Sequence, residues 1–233
     1  MMIYGLHTIS VIDFPGKVAS VLFLGGCNFR CPFCQNPSLV EGHEQLDVIS
    51  NEFILKHLEQ RKDFIDGVVI TGGEPLLSGK GLIAFLGTLH KMKLAVKIDT
   101  NGYNTSLLRE LLLTGLVDYV AMDIKTSLDK YHIAAGMSIE ADRILTSIEA
   151  IRGSSIEYEF RTTCVPGLVD SREIDIIARL IEGENHYYLQ QYRVKQPTLD
   201  PSYIKLSPYS REKLERLKTI AKRYVSSVGI RGL

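Results

Sequence analysis

Cysteine is scarce in this chain. Four residues among 233 are too few to crosslink a fold of this size, which argues against a disulfide scaffold. No charge of either sign is in excess either. Lys plus Arg and Asp plus Glu number 27 each, so long-range attraction to nucleic acid has no compositional basis. No apolar run approaches the roughly 18 to 20 residues that cross a bilayer. The opening MMIYGLHTIS lacks the basic flank and continuous apolar stretch of a signal peptide. A soluble, cytoplasmic protein with no membrane partner is expected. No linker interrupts the sequence, and its 45% hydrophobic content can fill a full core. The expectation is one domain over 1–233: a lead-in over 1–17, a core over about 18–195 and a helical C-terminal extension over about 205–233.

What is present is an alternation of two periodicities. VASVLFL, GVVIT, LAVKIDT, VDYVAMDI, IEYEFRTTC and HYYLQQY read as strands. Helical patterns separate them, beginning with SNEFILKHLEQR, where Ser50 caps a face of Phe53, Ile54, His57 and Leu58. Further helices are expected around 79–92, 105–114, 141–152 and 171–182, with Gly115, Gly153 and Gly183 placed to stop three of them. An amphipathic helix follows Ser210, and YVSSVGI adds a short edge strand. Such alternation calls for an α/β fold with a parallel sheet, either a barrel or an open doubly wound sheet. In both, ligands bind where the strands end. The polar motifs GGCNFRCPFC, TGGEP, DTNG, MDIK and RTTCVPG all finish or follow a strand, which places one site there.

Three of the four cysteines form Cys27-x3-Cys31-x2-Cys34. Three thiolates on a loop with Gly25, Gly26 and Pro32 satisfy three irons of a 4Fe-4S cluster and leave the fourth iron open. Zinc is the alternative; it wants a fourth protein ligand, which His43 could supply. Cys164, far along in a strand-like run, reads as a small buried apolar thiol.

CNFRCPFC, with Phe33 before the last cysteine, resembles the signature of radical S-adenosylmethionine (SAM) enzymes. The resemblance implies a partial (β/α)6 TIM-like barrel. It also implies that the open iron chelates SAM, whose reductive cleavage gives methionine and a 5′-deoxyadenosyl radical. TGGEP, with Gly72, Gly73, Glu74 and Pro75, resembles the family segment beside the SAM amino group; alone it would read as a connecting turn. Within the family, the Asp-x-Pro-Gly lead-in at Asp13, Pro15 and Gly16, and Asn36 after the cysteines, resemble the activating enzymes of glycyl radical enzymes. So do DTNG, MDIK and FRTTCVPG. By that likeness Asp99, Thr100 and Asp123 lie near the SAM carboxylate, where they hold a monovalent cation, and Asn101 is a further SAM contact. Lys125 and Arg161 add positive charge, and Gln191 and Arg193 contact the adenosine end or cavity. As bare residues, Asp99 and Asp123 also fit turns or helix caps and Lys125 a solvated face, whereas Arg161 within a strand must find partners. Asp13 is a candidate partner contact or a simple turn.

Only 37 residues separate Cys34 from Gly72, which leaves no room for an inserted two-cluster domain, and one cluster is expected. The resemblance implies an activase that installs a glycyl radical on a partner enzyme, foremost an anaerobic ribonucleoside-triphosphate reductase, with a flavodoxin- or ferredoxin-type reductant. Two other readings stay open. One is a radical SAM enzyme acting on a small molecule, like 7-carboxy-7-deazaguanine synthase. The other is an iron-sulfur electron-transfer or binding module.

Overall fold

The computed structural model describes residues 1–194 and 197–233. Lys195 and Gln196, at the end of the expected core, lie outside the described residues. Eight strands form one sheet in chain order: β1 (Ile3–Ser10), β2 (Ala19–Leu24), β3 (Gly67–Gly72), β4 (Ala95–Thr100), β5 (Tyr119–Asp123), β6 (Glu157–Cys164), β7 (Tyr187–Gln191) and β8 (Val228–Arg231). β1 runs antiparallel to β2, and every later pair is parallel. The six strands expected from sequence are β2–β7, and β8 is the edge strand read from YVSSVGI. β1 occupies the segment read as a lead-in. Its burial pattern is mixed, with no clean alternation, so the period that marks a half-buried strand was missing from the sequence.

Among the described residues the α-helices are α1 (Pro37–Val40), α2 (Asn51–Glu59), α3 (Lys80–Lys91), α4 (Thr105–Thr114), α5 (Tyr131–Ala135), α6 (Ala141–Arg152), α7 (Ser171–Leu180) and α8 (Arg211–Ala221). Their ends follow local chemistry. Ser50, Asn104 and Ser210 accept backbone N–H bonds as N-caps, and Asp170 with Glu173 forms a reciprocal capping box. Gly115 ends α4 in the left-handed conformation at φ 67°, as a C-terminal glycine should. Gly153 ends α6 right-handed at φ −79°, and Gly183 lies two residues beyond the cap of α7. On α2, Ile54, His57 and Leu58 are buried as expected, but Phe53 is 55% exposed.

Strand alternation divides the interior in two. Leu22, Ile70, Ile98, Met122, Phe160 and Leu189 face the helices and belong to the main core. Ala19, Val21, Val69, Tyr119 and Ala121 face the other way and form a second cluster with Phe14. That second face is concave. Phe14, just before β2, packs on Tyr119 of β5 with ring centroids 5.9 Å apart, although three strand spacings in a flat sheet would separate them by about 14 Å. The sheet therefore curls around this cluster as part of a barrel.

At the mouth of that barrel, β2 and β3 meet backbone to backbone. The Gly73 N–H donates to the Leu24 carbonyl (2.8 Å) and the Glu74 N–H to the Gly26 carbonyl (2.8 Å). A Cβ on Gly73 would lie 1.9 Å from the Gly26 oxygen, and one on Gly72, at φ 122°, 2.3 Å from the Leu24 backbone. Gly73→Ala is expected to prevent folding or cost several kcal/mol. Gly87→Ala, inside α3 with open space around it, should stabilise by about 0.5–1 kcal/mol. Urea denaturation of the two variants checks both signs.

Candidate functional site

A cleft of about 240 Å³ opens at the strand ends. Its lining brings together Cys27, Cys31, Cys34, Phe33 and Asn36 from the loop after β2, and Gly72, Gly73 and Glu74 from the end of β3. Asp99 and Thr100 join from β4 with Asn101 just after it, Asp123 from β5 with Lys125 just after it, and Arg161 from β6. The cysteine loop has little regular structure of its own, so neighbours hold it. Gly26 N–H donates to the Leu39 carbonyl (2.7 Å) and Arg30 N–H to the Ala135 carbonyl at the end of α5 (2.7 Å). From the segment after β7, Leu199 N–H donates to the Cys34 carbonyl (3.1 Å) and Asp200 N–H to the Pro32 carbonyl (2.9 Å). Phe29 wedges between Tyr103 and Tyr131, with centroids 5.3 and 6.3 Å away.

The three thiols face the same cleft, and their setting fits a cluster. Burial pushes the Cys27 thiol up to about 11, eased by the Phe29 N–H, and the Cys31 thiol up to about 12, eased by the positive charge of Lys125. Both stay protonated at neutral pH until a metal centre claims them, and binding must then release protons. The zinc alternative fares worse. His43 packs edge-on against Tyr4 and is absent from the cleft wall. Cys164 is fully buried in the main core, as its sequence setting suggested.

The floor of the cleft carries a ladder of charges pointing into the barrel. Parallel register aligns Asp123 with Arg161 and Lys97 with Tyr119, so inward positions fall into rows. Arg161 reaches Asp123 (2.8 Å) and Asp99 (3.3 Å), Lys97 reaches Asp99 (2.5 Å), and Lys125 reaches Asp123 (3.0 Å). Deeper down, Arg231 of β8 pairs with the fully buried Glu159 through both nitrogens (2.6 and 2.7 Å). Burial, the largest influence on each, would raise the Asp99 and Asp123 carboxyls; Arg161 together with Lys97 at Asp99 and with Lys125 at Asp123 outweighs it and holds both below the ordinary range. These two carboxylates, expected with Thr100 to hold a monovalent cation, thus already meet the protein's own cations. The Thr100 hydroxyl donates to Glu74 (2.7 Å).

Glu74, expected beside a ligand amino group, lines the cleft but is 1% exposed; it accepts from Leu76 N–H (3.1 Å), the Thr100 hydroxyl and Asn101 N–H (2.7 Å), which makes it a strut between the ends of β3 and β4. Gln191 and Arg193 do not line the cleft: Gln191 donates to the Tyr209 carbonyl (2.6 Å) and Arg193 to that of Gly232 (3.0 Å). The cause is strand phase. β7 aligns Tyr188 with the inward Arg161 and Gln190 with Thr163, so Gln191 and Arg193 fall on the outer face. Tyr192 lines the cleft in their place. Pro75 opens the turn after Glu74 and lies behind the wall. Asp13 accepts from Ser10 (2.5 Å) in the turn joining β1 to β2, at the opposite end of the strands from the thiols.

Thr71, Phe29, Gln35, Val40 and Thr163 also line the cleft and were not anticipated. Thr163 was within reach of sequence reasoning, because it lies two positions along a strand from Arg161.

A model of the radical SAM superfamily matches residues 21–180 of the chain. The chain belongs to the radical SAM superfamily. One relative is MJ1227 of Methanocaldococcus jannaschii, whose name assigns it to the glycyl-radical enzyme activating enzymes; it is 33% identical over 99% of this radical SAM chain and 95% of its own length. The pyruvate formate-lyase-activating enzyme of Clostridium pasteurianum is 32% identical over 78% of this chain and 76% of its own. Among solved structures, Streptococcus suis SuiB superposes with a TM-score of 0.68 over 91% of this chain and 48% of its own, at 17% identity. The radical SAM enzyme HemN of Escherichia coli does so at 0.59, over 91% and 54%, at 14% identity. These two likenesses concern the fold, the partial barrel of radical SAM enzymes. Among the described residues no helix is long and apolar enough to cross a membrane.

The Glu74 strut has a measurable consequence. Burial raises its carboxyl to about 7 against the donors from Asn101, Thr100 and Leu76, so the folded state binds its proton more tightly than the unfolded chain. Stability from this group is full at low pH and declines as pH rises from about 4.5 through about 7. Glu74→Gln should cost about 1–3 kcal/mol, because an amide N–H₂ must face at least one of those donors. It should also flatten that slope in urea titrations, and parallel pH profiles would contradict the assignment.

Proposed function

We propose that this protein is a radical SAM activase that installs a glycyl radical on an anaerobic ribonucleoside-triphosphate reductase. The observation that carries the reading is the convergence of Cys27, Cys31 and Cys34 on a single cleft with a charged floor. The names of MJ1227 and the Clostridium enzyme support the activase class. The choice of reductase rests on the Asp13-Pro15-Gly16 lead-in and the short interval from Cys34 to Gly72.

Cys27, Cys31 and Cys34 hold the 4Fe-4S cluster in this reading, one thiolate to an iron. When bound, the cluster supplies the electron that cleaves SAM to methionine and a 5′-deoxyadenosyl radical. The protein's part is to hold and orient. Lys125 and Arg161 present positive charge to the methionine carboxylate of SAM, while Asp99 and Asp123 keep those cations fixed and offer acceptors nearby. Phe33, Val40 and Tyr192 supply apolar wall that excludes water from a reactive radical. The α-hydrogen of a glycine on a partner loop would be what that radical takes, giving 5′-deoxyadenosine and a glycyl radical. Asp13 is a further contact for the partner, and a flavodoxin- or ferredoxin-type protein is the electron source.

Two measurements test this. Reduced anaerobically with SAM and a ribonucleoside-triphosphate reductase, the reconstituted protein should produce a glycyl EPR doublet on the reductase; a doublet on another glycyl radical enzyme alone would reassign the partner. Cys31→Ala should lose the cluster's visible absorbance and all formation of 5′-deoxyadenosine. A Cys31→Ala protein that retains both would overturn the ligand set.

A further inference from the structure

We propose that Asn101 is a positioning residue for Cys27, holding the cluster-binding loop through its side-chain amide and raising the reduction potential of the centre bound there. The inference rests on the assignment of Cys27, Cys31 and Cys34 as cluster ligands. Asn101 follows β4 and is 5% exposed. Its Oδ1 accepts the Tyr103 N–H (3.0 Å), and this fixes which end of the amide faces the cysteine loop. Nδ2 therefore points across the cleft, 2.8 Å from Asn28 Oδ1 and 3.9 Å from Cys27 Sγ. An amide nitrogen carries two N–H bonds, one for each of these acceptors.

The backbone beneath that amide is clamped. Asn101 N–H donates to Glu74 Oε2 (2.7 Å), and Gly102 N–H donates to the Thr100 hydroxyl (3.0 Å), which itself donates to Glu74 Oε1. Glu74 sits in turn on Gly26 through its own N–H (2.8 Å). The result is a closed circuit: from the residue before Cys27, through the Glu74 strut, to Asn101 and back to Asn28 and Cys27. Cys27 Sγ also accepts the Phe29 N–H (3.4 Å). Among the described residues, Cys27 is the one member of the triplet with a side-chain amide within reach of its sulfur.

Hydrogen bonds to a cluster's sulfurs set its reduction potential, because an N–H dipole aimed at the thiolate stabilises the added electron. Removing the amide should make the centre harder to reduce. The test is an EPR-monitored redox titration of the full chain, reconstituted anaerobically, with iron and sulfide quantified and SAM omitted. Asn101→Leu keeps the volume and deletes both N–H bonds. Asn101→Asp keeps the acceptor for Tyr103 and turns a carboxylate toward the sulfur. Both should carry wild-type iron with a midpoint potential shifted negative, and Asp further than Leu. If Leu at this position fails to fold, Asn101→Asp alone decides the matter. A variant with full iron at the wild-type potential overturns the role of Asn101 and leaves the cysteine assignment intact. A wild-type protein with no reducible centre overturns the assignment itself, and the inference with it.

Discussion

The site depends on a seam with no side chains in it. Where β2 ends and β3 ends, Gly72 and Gly73 lie against the backbone of Leu24 and Gly26 at a distance that a single methyl group would close. That contact joins the loop carrying the thiols to the strand end carrying Glu74, and two backbone hydrogen bonds lock it. Every later link is built on it. Glu74 can collect donors from Thr100 and Asn101 only because its own backbone is pinned to Gly26. Asn101 in turn can face Cys27 only because Glu74 holds its backbone.

Below the seam the barrel interior changes character around its circumference. Small and apolar side chains, Ala19, Val21 and Val69, line it on β2 and β3 and pack with Phe14. The same inward phase carries Lys97 and Asp99 on β4, Asp123 on β5, and Glu159 and Arg161 on β6, with Lys97 level with Val69 and Glu159 level with Ala121. Isolated, each of these buried charges would be costly; as an alternating ladder each has a partner within about 3 Å. The ladder leaves Lys125 and Arg161 on the cleft wall with fixed orientation. An anionic ligand then meets cations that need no reorganisation.

Much of this was legible in the sequence because each signal was local. Cysteine spacing, glycines at strand ends, helix caps and alternating periods all lie within a few residues of what they determine, so β2–β7, the longer helices and most of the cleft lining could be read directly. What escaped depended on pairing. β1 shows no clean alternation. Gln191 and Arg193 were assigned to the cleft by resemblance alone, while register with β6 puts Tyr188 and Gln190 on the inner face and Tyr192 lines the cleft. The strut role of Glu74 was hidden because nothing in TGGEP reveals that Thr100 and Asn101, more than twenty residues later, donate to its oxygens.

The central claim is that three thiolates hold a 4Fe-4S cluster and leave one iron free for SAM. The most direct measurement is the EPR spectrum of the reduced, reconstituted protein recorded with and without SAM, using SAM labelled with ¹⁷O in its carboxylate. The account predicts a changed cluster signal on addition of SAM and hyperfine coupling from the labelled oxygen. An unchanged spectrum with no coupling, in a protein that demonstrably carries the reduced cluster, would contradict it.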